Sequence, residues 1–245
     1  MTKESTICKN CGNIFQLKYC NSCGQLADTY KITWKELFHH LPHAFFHIDS
    51  GFFYTIKELA TRPGNSIREY LEGKRKRHFN PFMLLIILTG FCSYLYVYFH
   101  LHTIFASIRM DQLEVKNALI AHKFFFARTI FFCILCSIGD YLMFREKKYT
   151  LPEMMVVNVF WFSGISVLQL LFIPLLLLGK FFGIIFYVQI IFISIVLTYL
   201  FVSHFQFYQA KNNSKLILKI IIALMIYIAL IFIIGFQLVK PVLAN

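Results

Sequence analysis

Long apolar runs separated by short polar clusters dominate the chain after residue 80. The runs occupy residues 81–99, 124–144, 155–178, 182–202 and 216–238. Their lengths suit α-helices that cross a bilayer, which need about 20 residues each. Asn80 and Pro81 suit the N-cap and the first helical position of the first run. The pattern therefore predicts an all-α integral membrane protein with about five transmembrane helices over residues 81–245.

Residues 31–80 predict amphipathic helices that lie at the membrane interface rather than across it. The predicted helices occupy residues 33–41, 52–59 and 67–71. Pro63 and Gly64 are expected to end the second, and Asn65 or Ser66 to cap the third. Aromatic faces followed by basic residues suit the headgroup region of a bilayer. The alternative is that these helices pack under the transmembrane bundle.

Composition and charge agree with a membrane location. The chain is 58% hydrophobic and 15% charged, whereas a soluble domain carries about 25% charged residues. With the N-terminus in the cytoplasm, eighteen Lys and Arg lie inside and five lie outside. Because Lys and Arg concentrate on the cytoplasmic side, the sequence predicts a bacterial inner-membrane protein with a periplasmic C-terminus. This asymmetry also accounts for the net charge of +12, so a nucleic-acid partner is not expected.

Two CxxC pairs near the N-terminus predict a metal site. Cys8 and Cys11 are followed, after eight residues, by Cys20 and Cys23. Four thiolates at this spacing suit one tetrahedral Zn²⁺ with no open position, and hence a structural ribbon over residues 1–30. Two disulfides and an iron site of the rubredoxin type are the alternatives, although a reducing cytoplasm disfavours disulfides.

Basic residues gather between the ribbon and the first apolar run. We expect a site for anionic headgroups or a protein partner at these residues: Arg62, Arg68, Lys74, Arg75 and Arg77. Arg62 and Arg68 are expected to form a phosphate-binding fork with Arg75 or Arg77. The alternative is simple anchoring of the cytoplasmic end of the first helix by its positive charge.

Other polar residues within or near the apolar runs carry weaker signals. Four histidines precede the second amphipathic helix at His39, His40, His43 and His47. Their spacing would suit a second metal ion, but Pro42 interrupts the helix. Histidines that face water at the membrane interface are the simpler interpretation. A further pair inside the second run, Cys133 and Cys136, is expected to serve ordinary packing.

Charged and amide residues inside the runs bear on transport. They are Arg128, Asp140, Asn158, Gln169 and Gln189. Intramembrane ionisable residues are candidates for function. Arg128 and Asp140 lie near the ends of their run, where a side chain can reach the interface, and they are too far apart to pair. The three amides could line a solute path in a homo-oligomer.

The N-terminal third resembles an uncharacterised bacterial membrane-protein family that is common in Bacteroidetes. That family carries a CxxC…CxxCGQ ribbon, then an RPG element, a YxxGKR element and a proline that opens the first span. The corresponding residues here are Cys20–Gln25, Arg62-Pro63-Gly64, Tyr70–Arg75 and Pro81. The family also tends to carry a Glu-His pair after the second span, of which Glu153 is present and the histidine is not. The resemblance implies a domain of unknown function.

The distinctive residues therefore lie on the cytoplasmic side, and no nucleophile–base set, HExxH motif or phosphate loop is visible. We expect a non-enzymatic scaffold or regulator that binds anionic lipid or a protein partner, and that can form a homo-oligomer. A small-solute transporter is the second hypothesis, and a lipid-modifying enzyme is the third.

Overall fold

The structure, a computed structural model, describes residues 5–27, 29, 31–34, 51–101, 125–211 and 213–239, without the side chains of 125–126 and 232–239. Most of the predicted helix over 33–41 lies outside these residues. The same holds for the histidine cluster at His39, His40, His43 and His47.

Seven helices and one small sheet make up the described chain. Strands β1 (Thr6–Ile7) and β2 (Ile14–Phe15) pair antiparallel near the N-terminus. The helices are α1 (Gly51–Thr61), α2 (Pro63–Glu72), α3 (Pro81–Tyr98), α4 (Phe125–Met143), α5 (Leu151–Phe181), α6 (Ile185–Tyr208) and α7 (Ser214–Val239).

The prediction of an all-α membrane protein is confirmed. Among the described residues, four helices are long and apolar enough to cross a membrane, namely α3, α5, α6 and the part of α7 up to Ile231. Helix α4 lies where the remaining span was predicted, so the expected count of about five is close. Large apolar side chains cover the outer surface, and Leu171 and Met225 are 70% and 61% exposed. Such exposure suits contact with lipid tails.

The helices of the bundle alternate in direction. Lys180, in the last turn of α5, donates hydrogen bonds to the carbonyl oxygens of Phe99 and His100, just after α3. At the opposite end, Lys147 follows α4 and donates to the carbonyl oxygen of Tyr208, which ends α6. Helix α5 packs against α3, α4 and α6, and its Phe160 and Trp161 are fully buried. The core therefore lies around α5.

Helices α1 and α2 pack against α5 and α6 at one end of the bundle, and their position in the headgroup layer stays a prediction. Gly64 lies against α6 so closely that a Cβ there would lie 2.1 Å from the carbonyl oxygen of Ser203. The prediction that Asn65 or Ser66 caps this helix is wrong, because α2 begins at Pro63 after Arg62. Proline fits the first turn of a helix, where its missing N–H has no partner to lose.

Candidate functional site

The four N-terminal cysteines converge on one point. The Sγ atoms of Cys8, Cys11, Cys20 and Cys23 all lie within 4.8 Å of one another. The Sγ atoms of Cys8 and Cys23 lie 3.5 Å apart, and those of Cys11 and Cys20 lie 3.6 Å apart. Two sulfurs bound to one tetrahedral ion at about 2.3 Å would lie about 3.7 Å apart. The cluster therefore fits a single metal ion.

Two similar turns hold the cysteines in place. The N–H of Gly12 donates to the carbonyl oxygen of Cys8, and the N–H of Gly24 donates to that of Cys20, both at 2.8 Å. Both glycines have positive φ, 76° and 71°, where a side chain would be strained. The glycine after each CxxC pair therefore allows the turn that aims two sulfurs at the same point.

The peptide groups of the second turn favour thiolate at its cysteines. Burial disfavours the Cys20 thiolate, but the backbone N–H groups of Cys23 and Ser22, together with the thiols of Cys11 and Cys23, lower its pKa to about 6, while the pKa of Cys11 rises to about 11. Burial likewise opposes ionisation of Cys23, and the N–H of Gln25 lowers its pKa. Since a metal binds thiolates, this turn is prepared to bind one near neutral pH.

The ribbon is docked onto its own chain through Gln25. The Gln25 side chain is 5% exposed, and its Nε2 donates to the carbonyl oxygen of Gly73 at 2.8 Å. Its Oε1 accepts from the backbone N–H groups of Arg75 and Lys76, each at 3.2 Å. The ribbon therefore lies on the turn of residues 73–78 that joins α2 to α3, which we call the basic turn. The sequence analysis includes Gln25 only as the end of the CxxCGQ element and assigns it no contact, because its partners lie 48 to 51 residues away.

A cavity of about 830 Å³ separates the tips of the ribbon from the basic turn. The ribbon contributes Asn10, Cys11, Ser22 and Cys23 to its lining. Helices α1 and α2 and the basic turn contribute Gly51, Tyr54, Glu69, Lys74, Lys76, Arg77 and His78. Three cations and one carboxylate therefore face this space. The arrangement can bind an anion.

The predicted fork of Arg62 and Arg68 is occupied by internal contacts. Arg62 pairs with Glu58 through Nε at 2.5 Å and with Glu69 through Nη1 at 3.0 Å. Hydrogen bonding to Glu69 raises the pKa of Arg62 despite burial. Arg68 donates to the carbonyl oxygen of Gln206 at 3.3 Å and lies 3.7 Å from Glu72. Both arginines thus fasten α2, one to α1 and the other to the end of α6.

The remaining predicted cations lie on the basic turn. Arg75 donates to the carbonyl oxygen of Tyr70, and its guanidinium lies 5.4 Å from the centre of the Tyr70 ring. Lys74 is 3.7 Å from Glu69 and remains half exposed. Arg77 is exposed and lines the cavity. Lys74 and Arg77 are therefore brought together at the cavity with Lys76, whereas Arg62, Arg68 and Arg75 are held elsewhere.

His78 closes the basic turn. Its Nδ1 lies 3.0 Å from the carbonyl oxygen of Lys74, so this nitrogen carries a hydrogen, and Nε2 lies 2.8 Å from Oγ of Ser66. Burial lowers the pKa of His78. The neutral ring therefore accepts from the Ser66 hydroxyl and ties the basic turn to α2.

A second polar cluster lies inside the bundle, and it corrects the interpretation of Asp140. Asp140 does not reach the interface, because it is 1% exposed. Its Oδ2 accepts from Nδ2 of Asn158 at 2.9 Å and from the hydroxyl of Tyr227 at 2.5 Å. His204, on α6, lies beside it and is fully buried. Sequence reasoning missed His204 because the fourth run was predicted to end at residue 202, whereas α6 continues to Tyr208.

The other residues singled out in the sequence have local roles. Glu153 forms a capping box with Thr150 at the start of α5. Cys133 and Cys136 are buried at 3% and 1% exposure. Gln189 is buried on α6, whereas Asn158 belongs to the Asp140 cluster on α5. Asn158 and Gln189 therefore lie in separate surroundings, and Gln169, partly buried on α5, hydrogen-bonds Tyr96 of α3.

One family of proteins matches part of the chain. A family model described as "Protein of unknown function (DUF3667)" matches residues 49–92. This segment spans α1, α2, the basic turn and the first half of α3, and so includes the RPG and YxxGKR elements. No curated protein and no solved structure matches the chain. The wider resemblance to a Bacteroidetes family with an N-terminal ribbon stays a prediction.

Proposed function

We propose that this protein is a non-enzymatic membrane scaffold that binds phosphate-bearing headgroups of anionic lipids between its ribbon and its basic turn. The observation that carries the proposal is the cavity lined by Lys74, Lys76 and Arg77. Lys and Arg beside a membrane surface attract anionic lipid by about 1 kcal/mol each. Glu69 pairs with Lys74 at 3.7 Å, and the thiolates of Cys11 and Cys23 also line the cavity, so Arg77 is the cation there with no described carboxylate partner and the one that most favours an anion.

The position of the cavity suits a headgroup. The basic turn leads directly into α3 at Pro81, so the cations lie at the end of a membrane-crossing helix. The same end of the bundle carries Lys147 and Lys219, which are joined to Tyr208 and Glu146. Because positive charge marks the cytoplasmic side, we place this end, with the N-terminus, in the cytoplasm of a bacterial inner membrane.

The metal in this proposal is Zn²⁺, held by Cys8, Cys11, Cys20 and Cys23. Four thiolates leave no open position, so the ion organises the ribbon and supplies no catalysis. Such a centre carries a net charge of about −2. Lys76 partly neutralises this charge because its side chain lies beside Gly24, where its Cε would be 3.5 Å from an added Cβ. Metal analysis of the purified protein tests this assignment. One zinc per chain supports it, and one iron per chain with visible absorption contradicts it.

Native mass spectrometry of the full-length protein, titrated with phosphatidylglycerol and with phosphatidylcholine, tests headgroup binding. The test variant is Lys74→Gln/Lys76→Gln/Arg77→Gln, which removes the cations of the cavity. We expect it to lose phosphatidylglycerol binding by tenfold or more, because each cation contributes about 1 kcal/mol. Phosphatidylcholine binding is expected to be unchanged.

The matched control is Lys148→Gln/Lys211→Gln/Lys215→Gln, which removes the same charge from exposed positions at the same end. Equal losses in the two triple variants would contradict a specific site and favour general attraction to the membrane. If neither variant changes lipid binding, but the first loses a protein that co-purifies with the wild type, the scaffold binds protein instead.

Transport of a small solute is the second candidate function. The buried cluster of Asp140, Asn158, Tyr227 and His204 favours it, because polar groups inside a membrane bundle often lie on ion or proton pathways. Flux into vesicles that contain the reconstituted protein tests this candidate. Flux that Asp140→Asn abolishes would support transport, and a lack of flux across a panel of ions and small solutes would count against it.

A further inference from the structure

The cavity between the ribbon and the basic turn carries charges of both signs. On the side of the helices, Arg77 has no described carboxylate partner, whereas Lys74 lies 3.7 Å from Glu69. On the side of the ribbon, the lining includes the sulfur atoms of Cys11 and Cys23. A ligand that fills this space therefore meets one uncompensated cation, one carboxylate and the thiolates of the metal site.

The cavity is much larger than the phosphate group that Arg77 would bind. Its volume is about 830 Å³, whereas a water molecule takes up about 30 Å³ in the liquid. A phosphate group has the bulk of only a few water molecules. Most of the space is therefore left for the rest of the ligand, and the chemistry of the remaining lining decides what that part is.

The negative groups of the lining disfavour a further charge of either sign on the ligand. A second phosphate or a carboxylate would lie near Glu69 or near the thiolates of Cys11 and Cys23, and like charges repel. An ammonium group has little to gain, because both oxygens of Glu69 accept hydrogen bonds from Arg62, at 3.0 and 3.3 Å. Lys76 already lies beside the metal site. The part of the ligand beyond the phosphate is therefore neutral.

Uncharged hydrogen-bonding side chains complete the lining. Ser22, between the cysteines of the second pair, and Tyr54, on α1, both carry hydroxyls, which can donate as well as accept. Ser22 is exposed, and Tyr54 is half-buried with its ring edge-on to His78 at 5.3 Å between centres. Asn10 adds an amide that is already hydrogen-bonded to the sulfur of Cys23. Groups of this kind suit hydroxyls on the ligand.

We propose that the ligand of the cavity is a phosphodiester whose remaining part is an uncharged polyol, as in a headgroup of the glycerol or sugar type. A phosphodiester carries a single negative charge, which matches the single uncompensated cation, Arg77. Ser22 and Tyr54 are the residues that determine specificity, because they hydrogen-bond the hydroxyls of the polyol. This inference rests on the proposed function, since it names the headgroup that the same site selects.

Native mass spectrometry of the full-length protein tests the selection by comparing phosphatidylglycerol with phosphatidylserine and phosphatidylethanolamine. Phosphatidylglycerol and phosphatidylserine carry the same net charge at neutral pH, so attraction to cations alone predicts equal binding. We expect phosphatidylglycerol to bind about fivefold more tightly or better, because its hydroxyls gain hydrogen bonds and it brings no carboxylate to the site. Phosphatidylserine that binds as tightly, or phosphatidylethanolamine that binds more tightly, would overturn the proposal.

The variant Ser22→Ala/Tyr54→Phe removes both hydroxyls and keeps every charge. Phenylalanine retains the ring that packs on His78, so the fold is expected to persist. Binding of phosphatidylglycerol should weaken to the level of phosphatidylserine, whose own binding should not change. An equal loss for both lipids, or no loss for either, would show that these hydroxyls do not select the headgroup.

Arg77→Gln separates a failure of this inference from a failure of headgroup binding. If it weakens both lipids, and the wild type binds them alike, the site binds headgroups but does not select a polyol. If it weakens neither, headgroup binding at the cavity fails as well. Soluble glycerophosphoglycerol, added without lipid, then identifies the source of a selected polyol. Binding as tight as that of phosphatidylglycerol supports a free phosphodiester, and weaker binding supports a lipid headgroup.

Discussion

The side-chain amide of Gln25 donates a 2.8 Å hydrogen bond to the carbonyl oxygen of Gly73, 48 residues further along the chain. Gly73 ends α2 with a φ of 111°, and this conformation turns its carbonyl toward the ribbon. The same amide accepts from two N–H groups a little further along, those of Arg75 and Lys76. One buried glutamine thus joins the CGQ end of the ribbon to the YxxGKR element. The two sequence elements form one structural unit.

Removal of the Gln25 amide should release the ribbon from the basic turn. Gln25→Ala takes the Gln25 partner from the Lys76 N–H, the Gly73 carbonyl and the Arg75 N–H, although the last two keep their own mutual hydrogen bond at 3.0 Å. A buried group left without a partner costs about 1–3 kcal/mol. We expect faster hydrogen exchange at Arg75 and Lys76 with metal content unchanged. Leu17→Ala, at an exposed position of the ribbon, is the control. Unchanged exchange in Gln25→Ala would mean that other contacts hold the ribbon.

Metal removal should unfold the ribbon and spare the bundle. Among the described residues of the ribbon, the buried apolar ones are Cys8, Phe15 and Cys20, so metal binding supplies most of its folding energy. A chelator, or Cys20→Ser with Cys23→Ser, should abolish exchange protection over residues 5–27. Helix content by circular dichroism should change by no more than a few per cent. A cooperative loss of helix on chelation would show that the bundle depends on the metal.

A side chain at position 64 should separate α2 from α6. A Cβ added to Gly64 would meet the backbone of α6 at 2.1 Å, and backbone cannot move aside as a flexible side chain can. Gly64→Ala is therefore expected to destabilise the protein by about 1–3 kcal/mol or more. Gly90→Ala is the matched control, because a Cβ on Gly90 of α3 meets nothing within 4 Å. In thermal unfolding in detergent, Gly64→Ala should lower the midpoint temperature and Gly90→Ala should leave it unchanged.

Acid should loosen the basic turn through His78. Burial lowers the pKa of His78 in the folded protein, so below about pH 6.5 the unfolded state binds more protons than the folded state. The contribution of neutral His78 to stability is therefore full above that pH and declines as the pH falls toward the folded pKa. The protection of residues 74–78 against hydrogen exchange, taken relative to the intrinsic exchange rate at each pH, should fall between about pH 7 and pH 5.5. In His78→Gln this loss of protection should disappear, and its persistence would implicate another group.

Local sequence patterns predicted the parts of this protein that depend on neighbouring residues. The apolar runs gave the membrane helices, and the CxxC spacing gave the convergence of four sulfurs. The partners of Arg62, Arg68 and Asp140 were not predicted, because they come from helices that only the tertiary fold brings together. Asp140 looked like an interfacial charge from its place in α4, and its burial depends on Asn158, Tyr227 and His204 from three other helices. Periodicity carries no information about such encounters.

The last turns of α6 contact both the buried polar cluster and helix α2. Ser203 presents the carbonyl oxygen on which Gly64 rests, and the next residue, His204, faces Asp140. Gly64 has no side chain that could bend to absorb a displacement. An axial shift of α6 would therefore move the backbone on which α2 packs, and α2 leads through the basic turn to the ribbon. Adjacent residues of one helix thus link the interior of the membrane domain to its surface by direct contact.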